Sequence, residues 1–417
     1  MMNTPALKLD ASLGATILRL ANELAAFSDE PGGLTCAYLT AAHRASAELL
    51  RGWMSAAGMR AHIDAVGNVV GHLPGRKPAA KTLLIGSHYD TVRQAGKFDG
   101  RLGILLPIVI VALLRDRDEQ LDFDLEVIGF AEEEGVRFQS TFLGSSAIAG
   151  HFDEALLERR DAGGLSMREV VQAAGHEPAA IASLGRDAAQ LLGFLEIHIE
   201  QGPVLLDQGL PVGIVSAIAG SARFAVEVTG RAGHAGTTPM NMRRDAAAAA
   251  AEMLLSIEQR CSGSPGLVGT VGQLNVPKGS INTVPGTCVF SIDIRAGDDA
   301  TRDAAIDDVL AGLAEIAGRR RVQLKTTRTL QAAAAPCAPR MMAVLEAAVA
   351  RAGLPLRRLP SGAGHDAMMM ARLTDIGMLF VRCGNGGISH HPDETLSEAD
   401  TELAARIVLD VFRNFPI

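Results

Sequence analysis

The sequence predicts an α/β fold in two domains, the smaller inserted into the larger, on three observations. At 417 residues the chain exceeds what one ordinary hydrophobic core serves. Up to about residue 214, short apolar runs alternate with helical patterns, the order of a doubly wound sheet. From about residue 215 the order becomes β-α-β-β-α-β, and after about residue 333 helix and strand patterns resume. We therefore expect a discontinuous domain over 1–214 and 333–417, and a ferredoxin-like insert over 215–332, with boundaries set to within several residues.

Each element has its own signal. Residues 13–60 carry apolar positions at helical spacing. Leu83–Gly86 is a short apolar strand leading into His88, and Asp99-Gly100 stands where a helix from Arg101 to Leu113 begins. The strand Leu125–Phe130 runs into Glu132-Glu133-Glu134. Leu195, Ile197 and Ile199 alternate with Glu196, His198 and Glu200, so a strand sends the latter three to one face. In the insert, strands near 225–228, 267–274, 287–294 and 322–327 alternate with helices over 243–258 and 300–317. A helix at Met341–Ala352 and a strand at Met378–Val381 then lead to His390 near a strand end.

Bulk composition excludes several function classes. Hydrophobic residues make up 48% and charged residues 21%, a globular balance. A formal net charge of -8 argues against nucleic acid or an anionic membrane surface as partner. The longest apolar run, Leu102–Leu114, is about 13 residues and falls short of the ~20 that span a bilayer. No basic-then-apolar secretory signal opens the chain. Cys36, Cys261, Cys288, Cys337 and Cys383 are widely spaced without a C-x-x-C, which fits reduced thiols in a cytoplasm.

Five segments place metal-type ligands beside small or acidic neighbours: Ser87-His88-Tyr89-Asp90, Phe98-Asp99-Gly100, Glu132-Glu133-Glu134-Gly135, His198-Ile199-Glu200-Gln201-Gly202 and Ser389-His390-His391-Pro392. Imidazole and carboxylate without thiolate suit two divalent ions, Zn, Mn, Co or Ni, held by a bridging Asp. Asp99 is the candidate bridge, with His88 and His198 on one ion, and Glu134 with a histidine of the 390–391 pair on the other. Asp90 sits where its carboxylate can accept the other N–H of His88, although an Asp there can also simply cap a turn. Glu133, beside a ligand carboxylate, is placed to take a proton from water and pass it to a leaving nitrogen. In the insert, His234 and Asn282 can hydrogen-bond a developing oxyanion, and Arg295 can hold a substrate carboxylate bidentately.

With these residues in place, the chain resembles the hydantoinase/carbamoylase-type amidases of the M20 metallopeptidase clan, the group of allantoate amidohydrolases, N-carbamoyl-L-amino-acid hydrolases and β-ureidopropionases. Gly86–Val92, Ala131–Phe138, His198–Pro203, His234–Met240 and Ser361–Ala367 all stand where that family has its signatures, over nearly the whole chain. The resemblance selects His390 over His391, and places substrate contacts on Gln201, His234, Asn282, Arg295 and the Gly364-His365 loop. It also implies a homodimer formed through the insert and a lid-like closure on a small ureido or carbamoyl substrate bearing a carboxylate. Allantoate is the first expectation, N-carbamoyl-L-amino acids the second. An aminoacylase or dipeptidase of the clan is disfavoured by His198, where those peptidases carry an acidic ligand. A non-enzymatic relative would have no need to keep Glu133, His234, Asn282 and Arg295 with a full ligand set. One departure stands out: Ala95-Gly96 replaces the usual two glycines before Asp99, which could tilt that loop.

Overall fold

The computed structural model describes residues 7–417. The described chain forms two compact units: the residues up to Ser216 with Cys337–Leu359 and Gly364–Ile417, and Ala217–Pro336 with Pro360–Ala363. These limits differ by a few residues from those expected, and the Pro360–Ala363 segment clusters with the smaller unit.

The first unit begins with α1 (Leu13–Leu24) and α2 (Ala41–Ala56), each started by a hydroxyl that accepts an otherwise orphaned backbone N–H: Ser12 from Ala15 and Thr40 from His43. Next come β1 (Arg60–Ile63), β2 (Val69–Leu73), β3 (Thr82–His88), α3 (Leu102–Asp116), β4 (Asp124–Phe130), α4 (Leu143–Ile148), α5 (Met167–Ala173), β5 (Leu191–Ile199), α6 (Val204–Asp207) and β6 (Val212–Ile218). The second unit holds β7 (Gly220–Thr229), β8 (Gly233–His234), α7 (Ala246–Ser262), β9 (Leu267–Thr270), β10 (Leu274–Asn275), β11 (Thr283–Val284), β12 (Thr287–Ala296), α8 (Asp299–Arg320), β13 (Gln323–Ala332) and β14 (Ala335–Pro336). The chain then returns through α9 (Pro339–Arg351), β15 (Arg358–Ser361), β16 (Ile376–Val381), α10 (Ala367–Met370, between these two strands) and α11 (Glu398–Asn414).

The sheet of the first unit runs β1-β2-β4-β3-β5-β16-β6. Its centre, β4-β3-β5-β16, is parallel, and antiparallel strands flank it. Every residue of β5 and all but the first of β3 and β4 are buried, as strands covered on both faces require. Helix α3 is apolar almost all round and packs on β3 and β5, so it is a core helix. Truncating a fully buried member such as Leu105 to Ala should cost about 2–5 kcal/mol. Among the described residues no helix is long and apolar enough to cross a membrane.

In the second unit the antiparallel order β13-β7-β12-β9 is that of a ferredoxin-like βαββαβ fold, with β10 continuing alongside β12. Alternate residues of β12 are buried, and Phe290, Ile292 and Ile294 join Phe224, Met253, Ile257, Ile306 and Leu313 in one core under α7 and α8. The five cysteines are free and buried.

Candidate metal centre

The parallel centre of the sheet decides where the site lies. From β3 the chain crosses to β4 on one side, while β5 lies on the other, so a crevice opens beyond their carboxyl ends. His88 is the last residue of β3, His198 the penultimate residue of β5, and Glu132–Glu134 follow β4 directly. Asp99 precedes α3. His390 lies in the loop between β16 and α11, well past the strand end at which it was expected, and its backbone is left-handed with φ 56°.

Asp99 is the meeting point. Its Oδ1 lies 3.2 Å from His198 Nε2 and 3.5 Å from His88 Nε2, and its Oδ2 lies 3.2 Å from His390 Nε2. His390 Nε2 is 3.4 Å from Glu134 Oε1. Two groups of ligand-type atoms, His88–Asp99–His198 and Asp99–Glu134–His390, therefore share this one carboxylate. Asp99 Oδ1 is buried and accepts no hydrogen bond, which is costly unless a cation completes it. The donor set fits divalent metal on that observation. His198 Nδ1 meets the Ile199 carbonyl at 2.9 Å and His88 Nδ1 the Asp90 carbonyl at 3.1 Å, which turns both Nε2 atoms toward Asp99. Gly100 is needed between them: its φ is 67°, and a Cβ there would lie 2.5 Å from the His88 ring.

The charges are mutually dependent. Burial pushes the Glu133 carboxyl well above its usual range, with Glu134 and Asp366 pushing the same way while His88 draws it down. Burial likewise raises Glu134, to about 7. Burial pulls His88 and His198 down, but the facing carboxylates, Asp90 and Asp99 at His88 and Asp99 at His198, outweigh it and raise both. Asp99 raises His390 to about 9.

Asp90 does more than orient an imidazole. Its carboxylate oxygens accept the backbone N–H groups of Glu133 (3.0 Å) and Glu134 (3.1 Å), while Oδ1 is 3.5 Å from His88 Nδ1, farther than its own carbonyl. It thus ties the acidic segment after β4 to the end of β3. Gln201 adopts φ 56° and donates to Asp99 Oδ2 at 2.7 Å. A Cβ on Gly364 would lie 3.8 Å from Glu133 Oε1, so the 364–366 loop abuts that carboxyl, and the His365 ring packs edge-on to His198 at 4.5 Å.

On the second unit, β8 and β11 form a two-strand ribbon pairing His234 with Thr283, and Ala235 N–H donates to the Asn282 carbonyl at 2.9 Å. His234 and Asn282 are thereby neighbours, both exposed. Arg295 already spends its fork on Asp293, with Nε and Nη2 each 3.0 Å from a carboxylate oxygen, and Nη1 donates to the Gly362 carbonyl.

Two buried carboxylates hold remote segments together, and for Glu394 the sequence carried no signal. Glu196 accepts from Ser87 Oγ and from Ala367 N–H, and Glu394 accepts from Phe98 N–H, so each joins segments far apart in sequence. Alternation along β5 put Glu196 beside His198, but Glu200 has turned off the strand to accept the N–H groups of Val204 and Leu205 that open α6.

Residues 84–414 match the sequence profile of Peptidase family M20/M25/M40. A rice (Oryza sativa subsp. japonica) protein named probable allantoate deiminase is 40% identical over 92% of this chain and 85% of its own length. An N-carbamoyl-L-amino acid amidohydrolase of Geobacillus stearothermophilus is 38% identical over 93% of this chain and 94% of its own. The crystal structure of a hydantoinase/carbamoylase family amidase from Burkholderia multivorans superposes with a TM-score of 0.90 at 30% identity, over 98% of both chains.

Proposed function

We propose, from the premise that this chain belongs to Peptidase family M20/M25/M40, that it is a binuclear metal-dependent amidohydrolase acting on carbon–nitrogen bonds other than peptide bonds. It removes the carbamoyl (ureido) group of a small carboxylate-bearing substrate, with allantoate as first choice. The observation that carries this reading is the single buried carboxylate, Asp99, shared by two imidazole-and-carboxylate ligand sets beside Glu133. The allantoate deiminases among the relatives support the substrate.

His88, Asp99 and His198 would hold one divalent ion, and Asp99, Glu134 and His390 the other. When bound, such ions polarise the substrate carbonyl and lower the pKa of water, whichever of Zn, Mn, Co or Ni serves. Glu133, kept basic enough by burial, takes the proton of the attacking water. The ureido C–N bond then breaks, and Glu133 returns that proton to the leaving nitrogen. The carbamic acid left behind falls to ammonia and carbon dioxide. Asp90 keeps Glu133 and Glu134 fixed through their N–H groups. Gln201, Gly364 and His365 would line the substrate. His234 and Asn282 would hydrogen-bond the oxyanion, and Arg295 would bind the substrate carboxylate in exchange for Asp293. A homodimer through the insert, lid-like closure and a cytoplasmic location complete the reading.

A second substrate, N-carbamoyl-L-amino acids, is favoured by one observation: the Geobacillus relative matches nearly end to end. The deciding experiment measures ammonia release from allantoate, N-carbamoyl amino acids, ureidopropionate and dipeptides side by side. Turnover of dipeptides alone would sink the amidohydrolase reading.

A further inference from the structure

Glu394 is 4% exposed and contributes to none of the ligand sets, yet it touches both segments that supply the second one. Its Oε1 accepts the N–H groups of Phe98 (2.8 Å) and Asp99 (3.2 Å), on the loop before α3. Its Oε2 lies 2.8 Å from Ser389 Oγ, which in turn lies 2.7 Å from Asp99 Oδ2. Nearly three hundred residues of sequence separate these two loops, and one carboxylate closes them together. The loop it holds is strained: His390 takes φ 56°, a region costly for a residue with a Cβ, and such a conformation persists only where surrounding bonds over-determine it.

The glycine before Asp99 makes room for this contact. A Cβ at Gly96 would lie 2.2 Å from Glu394 Cδ and 2.4 Å from its Cβ, so the backbone of one of the two loops would have to move. Ala95, by contrast, tolerates its methyl: it is buried, and its N–H donates to the Leu34 carbonyl at 2.8 Å. The departure from two glycines therefore falls on the permissive position.

We propose that Glu394 is a positioning residue that clamps the Asp99 segment to the His390 loop, setting the second metal position before an ion arrives. The proposal rests on the two-metal reading. Outer groups of this kind typically govern metal affinity by roughly 10–100-fold.

The test titrates metal-depleted protein with Mn(II) by calorimetry, and measures retained metal after dialysis. Glu394→Ala should bind one Mn(II) about 10–100-fold more weakly than the native chain, and the weakening should persist at temperatures well below the melting point of the chelated form. Glu394→Gln should stay close to native, because its amide oxygen still accepts both N–H groups and its NH2 donates to Ser389. A merely structural Glu394 would move the chelated melting temperature and leave affinity alone. Native affinity in Glu394→Ala, or a Glu394→Gln as weak as Glu394→Ala, overturns the clamp. Should Glu394→Ala fail to fold, Ser389→Ala decides on the same readout. Native protein that binds no divalent ion overturns the metal reading itself.

Discussion

The two units carry their functional groups in opposite ways. In the first, Asp99, His88 and His198 are buried, and each is fixed by neighbours that leave a specific atom facing the next. In the second, His234 and Asn282 lie exposed on a short ribbon, beside the exposed Met240, Met242 and Ile281. Buried charge is tolerated only where bonds and counter-charges are already in place, so the first site has to be assembled by folding. Exposed groups need no such support and stay cheap to move. The first unit thus carries a preformed cluster, while the exposed groups of the second have only the role proposed for them above.

The largest expected effect breaks the comparison at its root. Prolonged chelation should abolish activity, and Mn, Co, Ni or Zn should restore it, as followed by ammonia release. Full turnover in demonstrably metal-free protein would mean the buried cluster is not a reaction centre. Next, Glu133→Gln should lower kcat by about 10²–10⁴ while metal content stays near native, since the amide keeps the shape but moves no proton. Loss of metal instead would exchange the roles of Glu133 and Glu134.

The exposed group is probed by mixing. If His234 acts across a dimer, inactive Glu133→Gln and inactive His234→Ala proteins, dissociated and reassociated, should regain activity in a minority of dimers with one intact site. No recovery in mixed dimers shown to have formed would place His234 within its own chain. Arg295→Lys is a milder change that keeps charge but loses the planar fork. It should raise KM about tenfold with little change in melting temperature, because a charged hydrogen bond is worth about 1.5–3 kcal/mol. An unchanged KM would leave Arg295 paired with Asp293 and without a substrate role.

The smallest effect concerns protons. Without metal, His390 holds its proton up to a pKa of about 9, raised by Asp99. Below that pH an ion must displace the proton to use the ring, so apparent affinity should rise as pH approaches 9. Calorimetry in buffers of different ionisation enthalpy should show proton release at pH 7. Its absence would mean that His390 is already neutral there.

Much of this was legible in the chain itself. Strand and helix periods, His88 at a strand end, the Glu132–Glu134 run and the β-α-β-β-α-β order of the insert follow from local chemistry, since period and polarity are properties of a few neighbouring residues. The pairing of Asp99 with four distant side chains followed only as a hypothesis, and its geometry came from the parallel sheet that aligns β3, β4 and β5. Asp90 looked like an orienter of His88, while in the fold its carboxylate mainly holds two backbone N–H groups across forty-odd residues. Glu394 had no local signature at all, and alternation gave the face of Glu196 but not its partners: a buried carboxylate that joins remote segments has meaning only once those segments meet. Sequence alone thus determined which chemical groups are available and on which kind of element each rides. Tertiary structure decided which carboxylates face the imidazoles and which hold backbone, because that choice is made by chain crossings that bring segments hundreds of residues apart within hydrogen-bond reach.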